Sequence, residues 1–189
     1  MRLVAIVGMT GSGKTEVAKI FQEHGYEKVR FGQAVLDEVM RRGLEVNEAN
    51  ERMVREQLRE EHGMAAMAVL ALPKIKKLLN SSDVVIDNLM SWEEYTLLKK
   101  NFGEQVLVIA VYADPNTRYK RLVNRKLTKD DKKAINRPTT LEESRSRDYS
   151  EIENLHKAGP IAMADFTIVN DGAIEDLRAN VERLIEELS

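Results

Sequence analysis

Apolar residues along this chain fall into two alternating patterns. Leu3–Val7 is a short unbroken apolar run, as suits a strand covered on both faces, comparable β-rich runs recur at 83–86, 105–111 and Phe166–Val169, and 28–31 is a further strand candidate. Between them, apolar positions recur at helical spacing over residues 15–24, 33–42, 47–62, 64–80, 91–101, 115–125, 141–156 and 173–188. Strand and helix in alternation predict an α/β fold, a parallel sheet with helices on both faces.

Single positions sharpen this picture. Ile174, Leu177, Val181, Leu184, Ile185 and Leu188 form one stripe on the last helix, which marks core rather than a cofactor site. Asp114 followed by Pro115 supplies an N-cap and a proline at the first helical position. Residues 64–72 are apolar on every side and predict a segment passing through the interior, ended or kinked by Pro73. His24, His62 and His156 each fall at a helix end shortly before glycine, where an imidazolium suits the negative end of the dipole, so capping is their expected role. Only KLTKDDKKAINRPTT, residues 126–140, fits neither pattern; its dense charge predicts a surface excursion.

Composition narrows the function classes. A length of 189 residues with 43% hydrophobic content suits one well-buried core, hence one domain. The 29 basic and 31 acidic residues nearly cancel, which argues against nucleic acid or an anionic membrane as partner. There is no cysteine, which excludes disulfides, thiolate zinc sites and cysteine nucleophiles. The first residues enter a strand without a signal-peptide pattern, and no apolar run approaches the roughly 18 residues of a spanning helix. A soluble cytoplasmic protein is expected.

The turn after the first strand carries the clearest chemistry. Gly8-Met9-Thr10-Gly11-Ser12-Gly13-Lys14-Thr15 places a glycine, four residues, then glycine, lysine and threonine between a strand and a helix, the phosphate-loop pattern in its required context. Its glycines let successive N–H groups point at a polyphosphate, and the following helix presents its positive end to the same charge. Lys14 is expected to reach the β and γ phosphates of a nucleoside triphosphate, and the Thr15 hydroxyl to ligate Mg2+. The other reading, a glycine-rich hairpin turn containing a lysine, lacks the strand-to-helix context. Thr128-Lys129-Asp130-Asp131 imitates a guanine-reading box and Asp87 a GTPase aspartate. The box follows a helix rather than a strand, however, and Asp87-Asn88-Leu89-Met90 lacks the glycine that contacts a γ-phosphate.

Taken in order, the phosphate loop, FGQAVLDEVMRRG, LREEHGMAAMA, VVIDNL, DPNTRYKRLVNR, ESRSRDYSEI and ADFTIVNDG resemble the nucleoside monophosphate kinase and dephospho-CoA kinase group of phosphate-loop kinases. The likeness is to its uncharacterised, adenylate-kinase-like ATPase branch, largely archaeal. It implies a five-stranded parallel sheet in the order 2-3-1-4-5, an acceptor-binding helical region at residues 32–80, and a lid at residues 126–146. It implies that Asp87 orients Mg2+ through water, against an alternative in which Asp87 or Ser91 merely caps the next helix. Arg118, Arg121 and Arg125 share one helix face. The resemblance assigns the last two to clamping the triphosphate, and Arg137 with Arg145 or Arg147 to closing over the transferring phosphoryl group, while Arg118 fits a solvated face as readily. The loop TIVNDG implies that Asn170, Asp171 and Gly172 lie along an adenine.

The pattern breaks on the acceptor side. Where the resembling kinases carry arginines for an acceptor phosphate, this chain has Leu36 and Met90-Ser91. Arg30, Arg41, Arg42, Arg52, Arg55 and Arg59 are possible substitutes. The expectation is an ATP- and Mg2+-dependent phosphotransferase acting on a nucleotide or similar small acceptor, with AMP, CMP and UMP poorly used. Two alternatives stand beside it: a nucleotide-binding regulator or weak ATPase with no acceptor, and a dephospho-CoA kinase.

Overall fold

The computed structural model describes residues 1–125 and 139–188. Five strands, β1 (Leu3–Val7), β2 (Glu27–Arg30), β3 (Val84–Asp87), β4 (Val106–Tyr112) and β5 (Phe166–Val169), form one parallel sheet in the order β2-β3-β1-β4-β5. This is the expected α/β phosphate-loop kinase architecture. Helices α1 (Lys14–Glu23), α2 (Gln33–Arg41), α3 (Glu48–His62), α4 (Ala66–Leu78) and α5 (Trp92–Phe102) follow the first three strands in chain order. After β4 come α6 (Pro115–Val123), α7 (Leu141–Glu153) and α8 (Ala158–Ala162), and α9 (Ile174–Leu188) closes the described chain.

Every residue of β1 is buried, and its side chains divide by parity. Leu3, Ala5 and Val7 join the layer formed with α2, α3, α4 and α5, whereas Val4 and Ile6 join the layer formed with α1 and α9. Each such buried aliphatic side chain contributes about 1.5–3 kcal/mol. The sheet centre is therefore the anchored part of the molecule, and the loops leaving the C-terminal ends of β1, β3, β4 and β5 are free to carry polar groups. Those loops meet where β1 lies between β3 and β4, the position at which open parallel sheets form a crevice.

Local chemistry explains most element ends. The Asp114 side chain accepts from the N–H groups of Asn116 and Thr117 and starts α6 before Pro115. At the end of α1, His24 Nδ1 lies 2.9 Å from the Ile20 carbonyl oxygen, the expected capping contact. Thr140 and Glu143 cap α7 reciprocally. Several expectations need correction. The helix expected over 64–80 forms as α4 with Pro73 inside it, but Leu70 is 38% exposed, so the segment expected to be buried on every side has a wet side. The helix expected over 141–156 stops at Glu153, and a separate short helix, α8, follows a left-handed turn at His156. The strands expected at 28–31, 83–86 and 105–111 are each shifted by one, to Glu27–Arg30, Val84–Asp87 and Val106–Tyr112. Among the described residues no helix is long and apolar enough to cross a membrane.

Candidate active site

The phosphate loop is wound as its glycines allow. Gly8 has φ 153° and Gly13 φ 101°; a Cβ at Gly8 would strike the Val111 carbonyl and the Ser12 hydroxyl, and one at Gly13 the Asn170 amide. No other residue type fits either place. Ser12 is buried, and Thr15 stands exposed in the first turn of α1. Lys14 folds back over the loop so that Nζ donates to the Met9 carbonyl oxygen at 3.0 Å. Burial lowers its pKa to about 7, helped by the Lys157 ammonium and Arg147, against the opposing pull of Glu151 and Asp87.

Two of these neighbours were not singled out by sequence. Glu151, on α7, accepts from the Thr10 hydroxyl at 2.6 Å and from Arg147 Nε at 3.2 Å through Oε1, and from Lys157 Nζ at 2.9 Å through Oε2. Burial alone would push this carboxyl up, but Lys157, Thr10, Arg147 and Lys14 together hold it down at about 2. The side chains of Lys157 and Glu151 are 1% and 5% exposed. Lys14, Lys157 and Arg147 thus gather around Glu151 and Asp87, three cations against two carboxylates, at the mouth of the loop. A polyphosphate would balance that charge. The i, i+4 spacing of Arg147 and Glu151 was a usable signal in the sequence; Lys157 gave none.

Arg118 belongs elsewhere than on a solvated face. It is 4% exposed, pairs with both oxygens of Asp148 at 2.8 and 2.6 Å, and donates to the carbonyls of Thr10 at 3.0 Å and Ala113 at 3.1 Å. Tyr119 donates to the same Asp148. The guanidinium therefore ties α7 and the phosphate loop to the start of α6.

Arg121 and Asn170 come together. Arg121 Nη1 donates to the Asn170 carbonyl at 2.8 Å, and Asn170 Nδ2 donates to the Ser12 carbonyl at 2.8 Å. Beside them lies a cleft of about 320 Å³ lined by Gly13, Glu16, Arg121, Asn170, Gly172, Ile174 and Leu177. Its flat glycine and the half-exposed Ile174 suit a planar ring. Asp171 is not among the lining residues; its Oδ1 accepts from the Asp114 N–H at 2.8 Å and joins two loops instead. Arg125 is exposed beyond α6 and Arg145 is exposed on α7. Arg137 and the Thr128-to-Asp131 box lie outside the described residues, as does most of the expected lid.

Ser91, not Asp87, caps α5: its side chain accepts from the Glu94 N–H at 3.1 Å. That leaves Asp87, buried at the end of β3 and close enough to Lys14 for their charges to interact, available for a cation. Among the described residues no cluster of three or more acidic, histidine or cysteine side chains could cage a metal. Thr15 and Asp87 are the residues here that would hold an Mg2+ whose other ligands came from a bound polyphosphate. On the acceptor side Leu36 is 1% exposed and packs into the core, so neither it nor Ser91 addresses an anion. Arg59 of α3 comes close enough to Glu94 for their charges to interact.

Comparison with known proteins agrees with this geometry. Residues 4–153 match the family described as AAA domain. The chain is 36% identical over 188 residues to a UPF0200 protein of Thermococcus kodakarensis, covering 98% of this chain and 97% of that one. In fold it is similar to a shikimate kinase from Bacteroides thetaiotaomicron (TM-score 0.61, 15% identity, 99% and 98% of the two chains). It is also similar to a gluconokinase from Sinorhizobium meliloti (TM-score 0.52, 16% identity, 99% and 95%). With a parallel sheet in this order, a phosphate loop in its strand-to-helix turn and relatives matched end to end, the chain belongs to the UPF0200 family of phosphate-loop proteins, built on a kinase-like fold.

Proposed function

We propose that this protein is an ATP- and Mg2+-dependent phosphotransferase for a small-molecule acceptor. The observation that carries the reading is the buried Lys14, its charge disfavoured by its surroundings and set beside Lys157 and Arg147. Such an arrangement is stable with an anion and strained without one. Phosphoryl transfer asks for positioning and charge neutralisation rather than a protein nucleophile. In this reading the N–H groups from Gly8 to Thr15 and the Lys14 ammonium hold the β and γ phosphates. Arg147 faces the transferring group from α7, with Arg125 and Arg137 as further lid cations. Arg121, Asn170 and Gly172 line the base cleft, with Asp171 bracing their loop. Thr15 and Asp87 would hold Mg2+, which would supply charge neutralisation of the phosphates. The acceptor oxygen bonds to the γ-phosphorus as the bond to the β,γ-bridging oxygen breaks, ADP departs, and the hydroxyl proton is released.

Two structural neighbours are named as kinases of small molecules, which supports a small acceptor here. Adenine is favoured over guanine because the base cleft is lined by the Asn170 loop, which resembles an adenine loop. The loss of acceptor arginines at Leu36 and Ser91 is the one observation favouring a nucleotide-binding regulator instead. Transfer of labelled γ-phosphate, measured across nucleoside monophosphates, dephospho-CoA and small hydroxylated compounds with a no-acceptor control, separates the readings. Label on an acceptor supports the kinase. Tight ATP binding with neither transfer nor hydrolysis points to the regulator.

A further inference from the structure

We propose that Glu151 is a positioning residue for the triphosphate: it ties the Arg147 guanidinium of α7 to the Thr10 hydroxyl of the phosphate loop and so places that cation at the γ-phosphate. This deepens the phosphotransferase reading and rests on its placing of a triphosphate in the loop.

The two oxygens of Glu151 serve three donors. Oε1 accepts both from Thr10 Oγ1 at 2.6 Å and from Arg147 Nε at 3.2 Å, whereas Oε2 accepts from Lys157 Nζ at 2.9 Å. Because a single oxygen serves the loop and the guanidinium, Arg147 cannot move away from Thr10 without one of those bonds being lost. The Arg147 side chain is half exposed and that of Glu151 is buried, so a cation at the wet mouth of the loop is held from a dry root. Only Nε is engaged. Among the described residues Nη1 and Nη2 make no hydrogen bond, which leaves donors for phosphate oxygens. The charge of Arg147 also acts on Lys14, the cation of the loop itself.

The way α7 is docked argues for position rather than stability. Ser144, Asp148 and Glu151 recur at helical spacing and are its buried residues, whereas Leu141, Tyr149 and Ile152 are exposed. The helix thus turns polar groups inward and apolar groups outward, the reverse of a helix held by hydrophobic burial. Buried ion pairs contribute little net stability compared with apolar side chains of similar volume, since desolvation offsets their attraction. What they supply here is direction, and it converges on Thr10. Arg118 pairs with Asp148 at 2.8 and 2.6 Å and donates to the Thr10 carbonyl oxygen at 3.0 Å, while Glu151 takes the Thr10 hydroxyl. One residue of the loop is gripped at both of its polar ends, so the loop and Arg147 keep a fixed relation.

The division between the two oxygens separates this role from a structural one. Lys157 is matched on Oε2, and Thr10→Val removes the loop's bond to Oε1 while that buried pair stays intact.

The test is calorimetric titration of the full chain with the β,γ-imido analogue of ATP and with ADP, each with Mg2+. The proteins compared are the unaltered chain, Arg147→Met, Glu151→Gln, the double variant and Thr10→Val. The ratio of triphosphate to diphosphate affinity is expected to fall at least about tenfold in Arg147→Met and in Glu151→Gln, as the loss of one charge-assisted contact implies. The double variant is expected to stay within about threefold of Arg147→Met, because Glu151 acts through that guanidinium. A smaller fall in either single variant overturns the proposal. So does a larger fall in the double variant, which a carboxylate that merely supports the fold would give. Should Glu151→Gln fail to fold, Thr10→Val takes its place in the cycle, with an expected fall of at least about threefold and the same requirement of non-additivity. An unaltered protein that binds the triphosphate analogue and transfers label to no acceptor overturns the phosphotransferase reading alone, since the cycle is read without turnover. Failure to bind the analogue at all overturns both.

Discussion

The phosphate loop and the buried polar side chains around Glu94 are written into the chain in different ways. The loop is eight consecutive residues acting through backbone conformation; its glycines sit where a Cβ would strike Val111, Ser12 or Asn170. The group around Glu94 draws on Arg59 and Lys157, so it comes from three separate segments and acts through side chains. A backbone device must be contiguous, because successive N–H groups have to converge on one anion. A side-chain device needs only that the fold bring its members together. The first half is therefore tied to a fixed chemistry, polyphosphate binding, whereas the second half is free to change its members.

The largest effect expected is on Lys14. Lys14→Met should weaken binding of an ATP analogue by about 100-fold or more, since two charge-assisted contacts of about 1.5–3 kcal/mol each are lost. The same change should raise the melting temperature of the empty protein near pH 7, because a buried, disfavoured ammonium is removed. Calorimetry and thermal melting on one sample check both signs. Unchanged affinity would break the comparison at its donor end.

Next is the ion pair that links the two halves. Glu151→Gln leaves Lys157 buried without its counter-ion and should destabilise the fold by about 3–5 kcal/mol, measured by urea denaturation. Adding Lys157→Met to that variant should recover most of the loss. If the double variant is as unstable as the single one, the cluster is not a charge pair in the sense argued here.

Glu151 and Lys14 both make stability rise with pH, in separate windows. Glu151 titrates near 2 in the fold against 4.5 unfolded, so its contribution is complete above about 4.5 and fades as pH falls toward 2. Lys14 titrates near 7 in the fold against 10.5 unfolded, so between those values the unfolded chain binds the extra proton and stability rises with pH. Binding of a triphosphate should restore the Lys14 proton and thus take up protons at pH 8. Calorimetry in buffers of different ionisation enthalpy reads that uptake, and no uptake would place the phosphates away from Lys14.

The smallest effect concerns the base cleft. Asn170→Ala removes the amide bond to the Ser12 carbonyl, a contact of about 1 kcal/mol, and should weaken the ATP analogue by about tenfold or less while narrowing its advantage over the GTP analogue.

The same contrast accounts for what could be read from sequence alone. The sheet order was inferred through resemblance and the strands through unbroken apolar runs, because burial on both faces leaves no polar positions to blur them. The Asp114-Pro115 helix start was legible because capping is local chemistry. Arg118 was not. Its i, i+3 spacing with Arg121 is the same for a wet face and a buried one, and the difference is made by Asp148, thirty residues away. Lys157 was missed for a related reason: a lone charge in a polar stretch carries no sign of burial until the fold supplies its partner. Asp171 shows the converse, since the motif around it was right while its own side chain was engaged by the neighbouring loop.

The contrast between the halves is tested most directly with diadenosine pentaphosphate, a bisubstrate molecule that spans a triphosphate site and an AMP site at once. A protein with both halves built for nucleotides binds it far more tightly than an ATP analogue, because the second adenosine monophosphate adds its own contacts. With Leu36 buried, Ser91 spent on a helix cap and three carboxylates around Arg59, the account predicts that calorimetry will find it bound no more tightly than the ATP analogue with Mg2+. An affinity gain of about 100-fold over the ATP analogue would contradict it and place a nucleoside monophosphate in the acceptor half.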